Sequence, residues 1–117
     1  MADNLPNHLR AYRRRDGFTQ GQLSFLLGAY DAATVSRYER YVRQPDLETA
    51  LACQAIFDVP AEEIFPGVHA SVEARVRKRA SLLLDRLAAE PATPDAPRIK
   101  ARLTAIAGGE ESRFSNV

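Results

Sequence analysis

The 117-residue sequence predicts an all-α protein: five short helices, then a longer C-terminal helix and a short last one. Three observations carry that expectation. Apolar residues recur at helical spacings of three and four between turn signals. Gly and Pro break the chain into short segments at positions where helices end. Thr19 with Gln22, Asp31 and Asp46 stand just ahead of such segments as helix-start residues.

Helix one is expected over residues 7–16, with Leu9 and Tyr12 facing inward and Gly17 closing it. The Thr19 hydroxyl and Gln22 amide form a capping box, each satisfying an otherwise orphan backbone N–H. Helix two therefore starts at Gln20 and carries Leu23, Phe25, Leu26 and Leu27 as its apolar positions up to Gly28. A short connection through Ala29, Tyr30 and Asp31 leads to helix three. Asp31 caps that helix, Val35, Tyr38 and Tyr41 turn inward, and Thr34, Ser36, Arg37 and Arg40 stay outward.

Pro45 stops helix three, and Asp46 caps helix four, described by Leu47, Ala50, Leu51, Cys53, Gln54 and Phe57. Pro60 opens a very short fifth helix over 61–65, whose Glu62 and Glu63 suit the positive end of the helix dipole. Pro66 and Gly67 are expected to end this module. Ser71 then caps the longer helix, to residue 89, with Val72, Val76, Ala80, Leu83 and Leu87 forming one stripe. Pro91, Pro94 and Pro97 read as a stiff linker, and Ile99, Leu103 and Ile106 as the last helix before Gly108 and Gly109. The organisation expected is a domain over 7–67, a helical extension over 68–107 and a flexible tail over 108–117.

Composition narrows the function. An apolar fraction of 45% with 26% charge is that of a globular chain. No stretch approaches the roughly 20 apolar residues of a membrane span, and the acidic start lacks a secretory apolar core, so a cytoplasmic protein is expected. The lone Cys53 sits in an apolar run and reads as buried filler. His8 and His69 read as surface residues, with no metal-type spacing around them, and no cofactor is expected. No nucleophile and base pair, carboxylate pair or phosphate loop appears, which argues against an enzyme. The net charge of +1 conceals segregation: residues 1–45 hold seven Arg against four acids, 46–70 hold five acids and no base, and 71–117 hold nine bases against six acids. Such asymmetry suits a partner that is a polyanion, or a solvated helix surface.

Two short helices joined by a tight turn, the second with slim polar residues outward, form the unit that enters a DNA major groove. A groove about 12 Å wide admits a helix whose exposed N-terminal side chains are small and can hydrogen-bond to base edges. Ala32, Ala33, Thr34, Ser36 and Arg37 meet that need.

The run from Leu9 to Gly67 resembles the Cro and phage-repressor class of helix-turn-helix regulators. The resemblance rests on GFTQ at 17–20, Leu27 with Gly28, VSRYER at 35–40, PDLET at 45–49 and VPAEEIF at 59–65. It implies a five-helix, lambda-repressor-like domain that binds DNA and regulates transcription, as a repressor. It also implies that Gln20 grips a phosphate, that Thr34 and Arg37 face bases or phosphates, and that Arg13 pairs with Glu39 and contacts DNA only indirectly. The candidate DNA-binding set is Thr19, Gln20, Ala33, Thr34, Ser36, Arg37, Arg40 and Arg43, with Arg14 from helix one. For Arg14 and Arg15 the alternative is a solvated helix face, and for Gln20 a plain helix-start residue. Two departures stand out. The interval from Gly28 to Val35 is one residue longer than in most members, and Tyr41 stands where a Gly usually follows helix three.

The rival to a DNA-binding homodimer on a palindromic operator is an antitoxin-like module, whose residues 71–107 would hold a partner protein. RNA binding is disfavoured, since no aromatic stacking platform is visible.

Overall fold

The computed structural model describes residues 5–29 and 31–109, which form seven α-helices and no strand. These are α1 (Leu9–Asp16), α2 (Gln20–Leu26), α3 (Ala32–Glu39), α4 (Leu47–Phe57), α5 (Ala61–Ile64), α6 (Pro66–Ala88) and α7 (Ala96–Ala107). The all-α class read from the sequence is the one observed. Tyr30 and most of the expected tail lie outside the described residues. The chain divides into two compact units between Ala70 and Ser71.

The first unit gathers one core from all five of its short helices. Leu9, Leu23, Val35, Cys53 and Ile64 are wholly buried, with Tyr38, Phe57 and Phe65 nearly so. Tyr12, Phe18, Leu27, Ala50, Ile56, Val59 and Val68 pack around them. Fully burying a large apolar side chain contributes about 1.5–3 kcal/mol, and here that gain holds helices too short to persist alone.

Helix starts follow the local signals. Thr19 Oγ1 accepts from Gln22 N at 3.0 Å and Gln22 Oε1 accepts from Thr19 N at 2.9 Å, completing the capping box. Asp31 accepts from Ala33 N and Asp46 from Thr49 N. The hydrogen bonds from Thr49 hold the Asp46 carboxyl below its usual pKa.

Three helix ends share one device. Backbone N–H groups of Phe18, Ala29 and Val42 reach back to the carbonyls of Arg13, Ser24 and Arg37, across left-handed residues Gly17, Gly28 and Tyr41. The first two are glycines, but Tyr41 adopts φ 63° with a side chain, a conformation that costs an ordinary residue energy. The exit from α3 thus keeps the turn for which glycine is the usual choice.

Several local expectations are corrected. Helix one begins at Leu9, because Asn7 is buried and bridges instead: its Oδ1 accepts from Leu9 N and its Nδ2 donates to the Tyr38 carbonyl. Phe25 and Leu26 are not core but 81% and 48% exposed; a two-turn helix buries one narrow stripe, here Leu23, Ser24 and Leu27. Leu47 and Leu51 are likewise exposed, since α4 presents Ala50, Cys53 and Phe57 inward. Pro66 and Gly67 start α6 rather than end the module, and Ser71 lies within that helix. Proline is at home in a first turn, where no N–H is needed. Gly67 N donates to the Pro6 carbonyl, and a Cβ there would lie 2.7 Å from that oxygen. This glycine serves close approach, not termination.

In the second unit Pro97 belongs to the first turn of α7 rather than to the linker. The residue after the α7 end approaches α6: a Cβ on Gly109 would sit 3.3 Å from the Arg77 guanidinium carbon. Among the described residues from Ser71 onward only Ala80 is buried, whereas Val72, Val76, Leu82, Leu83 and Ile99 are exposed.

Candidate nucleic-acid interface

The α2 and α3 pair is set by its two inward lines. Val35 and Tyr38 anchor α3 in the core, and Leu23 with the small Ser24 lets α2 lie closely beside it. With Val35 and Tyr38 inward, helical geometry sends Ala33, Arg37 and Arg40 to the opposite side at spacings of four and three. All three are exposed, and Thr34 and Ser36 flank them half-buried. Arg40 Nε donates to Ser36 Oγ at 3.2 Å, which steers the guanidinium along the helix. The Arg43 guanidinium lies 5.8 Å from the centre of the Tyr38 ring, a cation–π contact that holds it beside the same surface. Among the described residues no carboxylate lies within ion-pair distance of Arg37 or Arg40, whereas Arg43 is near enough to Asp46 to help hold its carboxyl below the usual range.

Behind this surface lies a charged knot. Arg13 Nε and Nη2 donate to the two oxygens of Glu39 at 2.5 and 3.2 Å, and Nη1 donates to the Phe18 carbonyl at 2.9 Å. The side chains of Arg13 and Glu39 are only 11% and 4% exposed. Gln20 Nε2 also donates to Glu39 Oε1, at 3.0 Å. One carboxylate thus ties α1, the start of α2 and the last residue of α3 together. The pair implied by the family resemblance is present, and Gln20 has a structural partner that its position in the sequence did not announce.

The remaining candidates separate by what they touch. The Thr19 hydroxyl is engaged as the α2 cap. Arg14 is exposed on α1, and Arg10, four residues earlier and also exposed, shares its side of the helix. The sequence reading passed over Arg10, although that spacing is its signal. Arg15 is structural: it pairs with Asp16, donates to the Phe57 carbonyl and lies over the Tyr12 ring. Cys53 is buried, and desolvation pushes its thiol up to about 12, which leaves no nucleophilic thiolate at neutral pH. Among the described residues no His, Cys, Asp and Glu cluster could hold a metal, and no helix is long and apolar enough to cross a membrane.

Residues 9–64 match the family model described as Helix-turn-helix. No curated protein and no solved structure matches the chain. The matched segment starts with the first residue of α1 and ends with the last of α5, so it takes in the whole five-helix core and the α2 and α3 pair. The five-helix core of the first unit is therefore similar to the helix-turn-helix family of DNA-binding transcriptional regulators.

Proposed function

We propose that this protein is a sequence-specific repressor that acts in the cytoplasm, laying α3 in the major groove of double-stranded DNA and binding a palindromic operator as a homodimer. The observation that carries the reading is the outward line Ala33, Arg37 and Arg40, opposite the buried Val35 and Tyr38. Ala33 leaves room for the helix to approach the base edges. Arg37, exposed and without a carboxylate partner, has the fork that pairs with guanine O6 and N7. Arg40, Arg43 and Arg14 suit phosphates, with Thr34 and Ser36 hydroxyls at the groove wall. Gln20 keeps one amide N–H beyond its bond to Glu39, which a phosphate can accept.

The dimer rests on the second unit. Val72, Val76 and Leu83 remain exposed on α6, and a one-sided apolar stripe gains stability by finding a partner. A two-fold dimer places two α3 helices on half-sites about 10 bp apart and gains affinity from the linkage. The same exposed stripe favours the second reading, an antitoxin-like module whose residues 71–107 embrace a different protein. Sedimentation of the purified chain separates the two: a folded dimer supports the repressor, and a monomer with an unfolded C-terminal segment supports the module. Selection of bound fragments from random duplex DNA, at stated salt, tests the function itself. An enriched two-fold motif is expected; recovery of random sequence would overturn specific recognition.

A further inference from the structure

We infer that α6 carries a second DNA contact, in which the exposed row Arg75, Arg79 and Arg86 grips the phosphate backbone without reading sequence. The inference rests on the proposed DNA binding of the first unit and adds to it a surface on the second. The three arginines stand at i, i+4 and i+11 on one 23-residue helix, which brings them within a sector of about 40°. They are separated by about 6 Å and then about 10.5 Å along its axis. All three are exposed, and no carboxylate pairs with any of them among the described residues. The acids of the same helix lie elsewhere around it: Glu73 is 3.8 Å from Arg77, and Asp85 falls on a different side from the row.

Arg75 and Arg79, like charges at i and i+4, repel and weaken an isolated helix, a cost that an anionic partner along the row offsets. The surroundings reinforce the bias. Residues 71–109 hold eight bases against four acids, a local charge of +4, although the whole chain is nearly neutral. The partner has to be an extended polyanion, because the row is long and straight. Duplex DNA presents one negative charge per about 1.7 Å of its axis, and arginine suits phosphate as a bidentate donor. The row borders the apolar stripe on one side, with Val72 and Leu83 within about 40° of Arg79 around the helix and Val76, Ala80 and Leu87 farther round, so an α6 paired through that stripe leaves the guanidinium groups at the rim of the pairing. The rival anion is the chain's own acidic segment, residues 46–70.

The test compares the full chain with its R75Q/R79Q/R86Q variant on one duplex over a range of salt concentrations. Each phosphate contact contributes about 0.9 to the slope of log affinity against log salt, so the slope should fall by up to about 2.7 per bound protomer, or about 5.4 for a dimer. The preference for specific over random DNA should be unchanged, and R75K/R79K/R86K should restore the slope. Should the triple Gln variant fail to fold, R79Q alone should lower the slope by about 0.9 per bound protomer. An unchanged slope in a folded variant overturns the inference, and an unchanged slope with a lowered melting temperature assigns the row to the chain's own acids instead. Failure of the unsubstituted chain to bind duplex DNA at low salt overturns the proposed function first and this contact with it.

Discussion

The two units solve opposite problems. In the first, seven side chains from five short helices and Phe65, just past α5, close one core, and its most buried ion pair, Arg13 with Glu39, also bonds to Phe18 and Gln20. In the second, the part of α6 from Ser71 onward and α7 bury, among the described residues, only Ala80 and leave valines and leucines in water. Helix length therefore does not measure self-sufficiency. Four helices of the first unit have eight residues or fewer, yet each delivers at least one buried side chain to a shared centre. The part of α6 in the second unit is longer than any of these four, yet among its described residues only Ala80 is buried.

The comparison breaks most decisively at the charged knot. Arg13→Ala or Glu39→Ala should destabilise the first unit by about 3–5 kcal/mol, because each strands a buried charge, while Arg14→Ala should leave the melting temperature unchanged. Thermal melts of the three variants check this; an unchanged melting temperature in the first two would mean that the knot is solvated.

The second unit is tested by replacing Leu83 and Leu87 with Asp. Sedimentation should then give a monomer with the first unit folded, and DNA affinity should fall by about 100-fold as the linkage between half-sites disappears. A variant that still sediments as a dimer would place the interface elsewhere.

Arg37→Ala sharpens the contrast between support and recognition on one helix. It should cost about 1–3 kcal/mol on specific DNA with the melting temperature intact, because the side chain is exposed and outside the knot. Equal losses on specific and random duplexes would make Arg37 a phosphate contact.

The smallest effect is expected at Ser24, 1% exposed, whose hydroxyl has no hydrogen-bond partner in the α2 and α3 interface. Ser24→Ala should stabilise the first unit by up to about 1 kcal/mol in chemical denaturation, since a buried unpaired hydroxyl is removed with little change of shape. A loss of stability would mean that the hydroxyl is satisfied.

The sequence by itself determined what lies within one turn of the chain. Thr19 with Gln22, Asp31, Asp46 and the glycines at 17 and 28 act on backbone groups two to five residues away, so the α2, α3 and α4 starts and two of the helix ends were legible from local chemistry. The outward placement of Arg37 and Arg40 followed from the same periodicity. Arg13 and Glu39 are 26 residues apart, and only the family resemblance brought them together. Tertiary structure decided the rest. Phe25, Leu47 and Leu51 are as apolar as their neighbours, and which stripe of a two- or three-turn helix is buried depends on what packs against it. Gln20 turned toward Glu39 because α3 brings that carboxylate to the start of α2. Pro66 and Gly67 carry the signature of a stop, yet they begin the longest helix, because the neighbouring Pro6 carbonyl takes the Gly67 N–H and leaves no room for a side chain. Punctuation in a sequence is ambiguous wherever a residue distant in the chain supplies the partner.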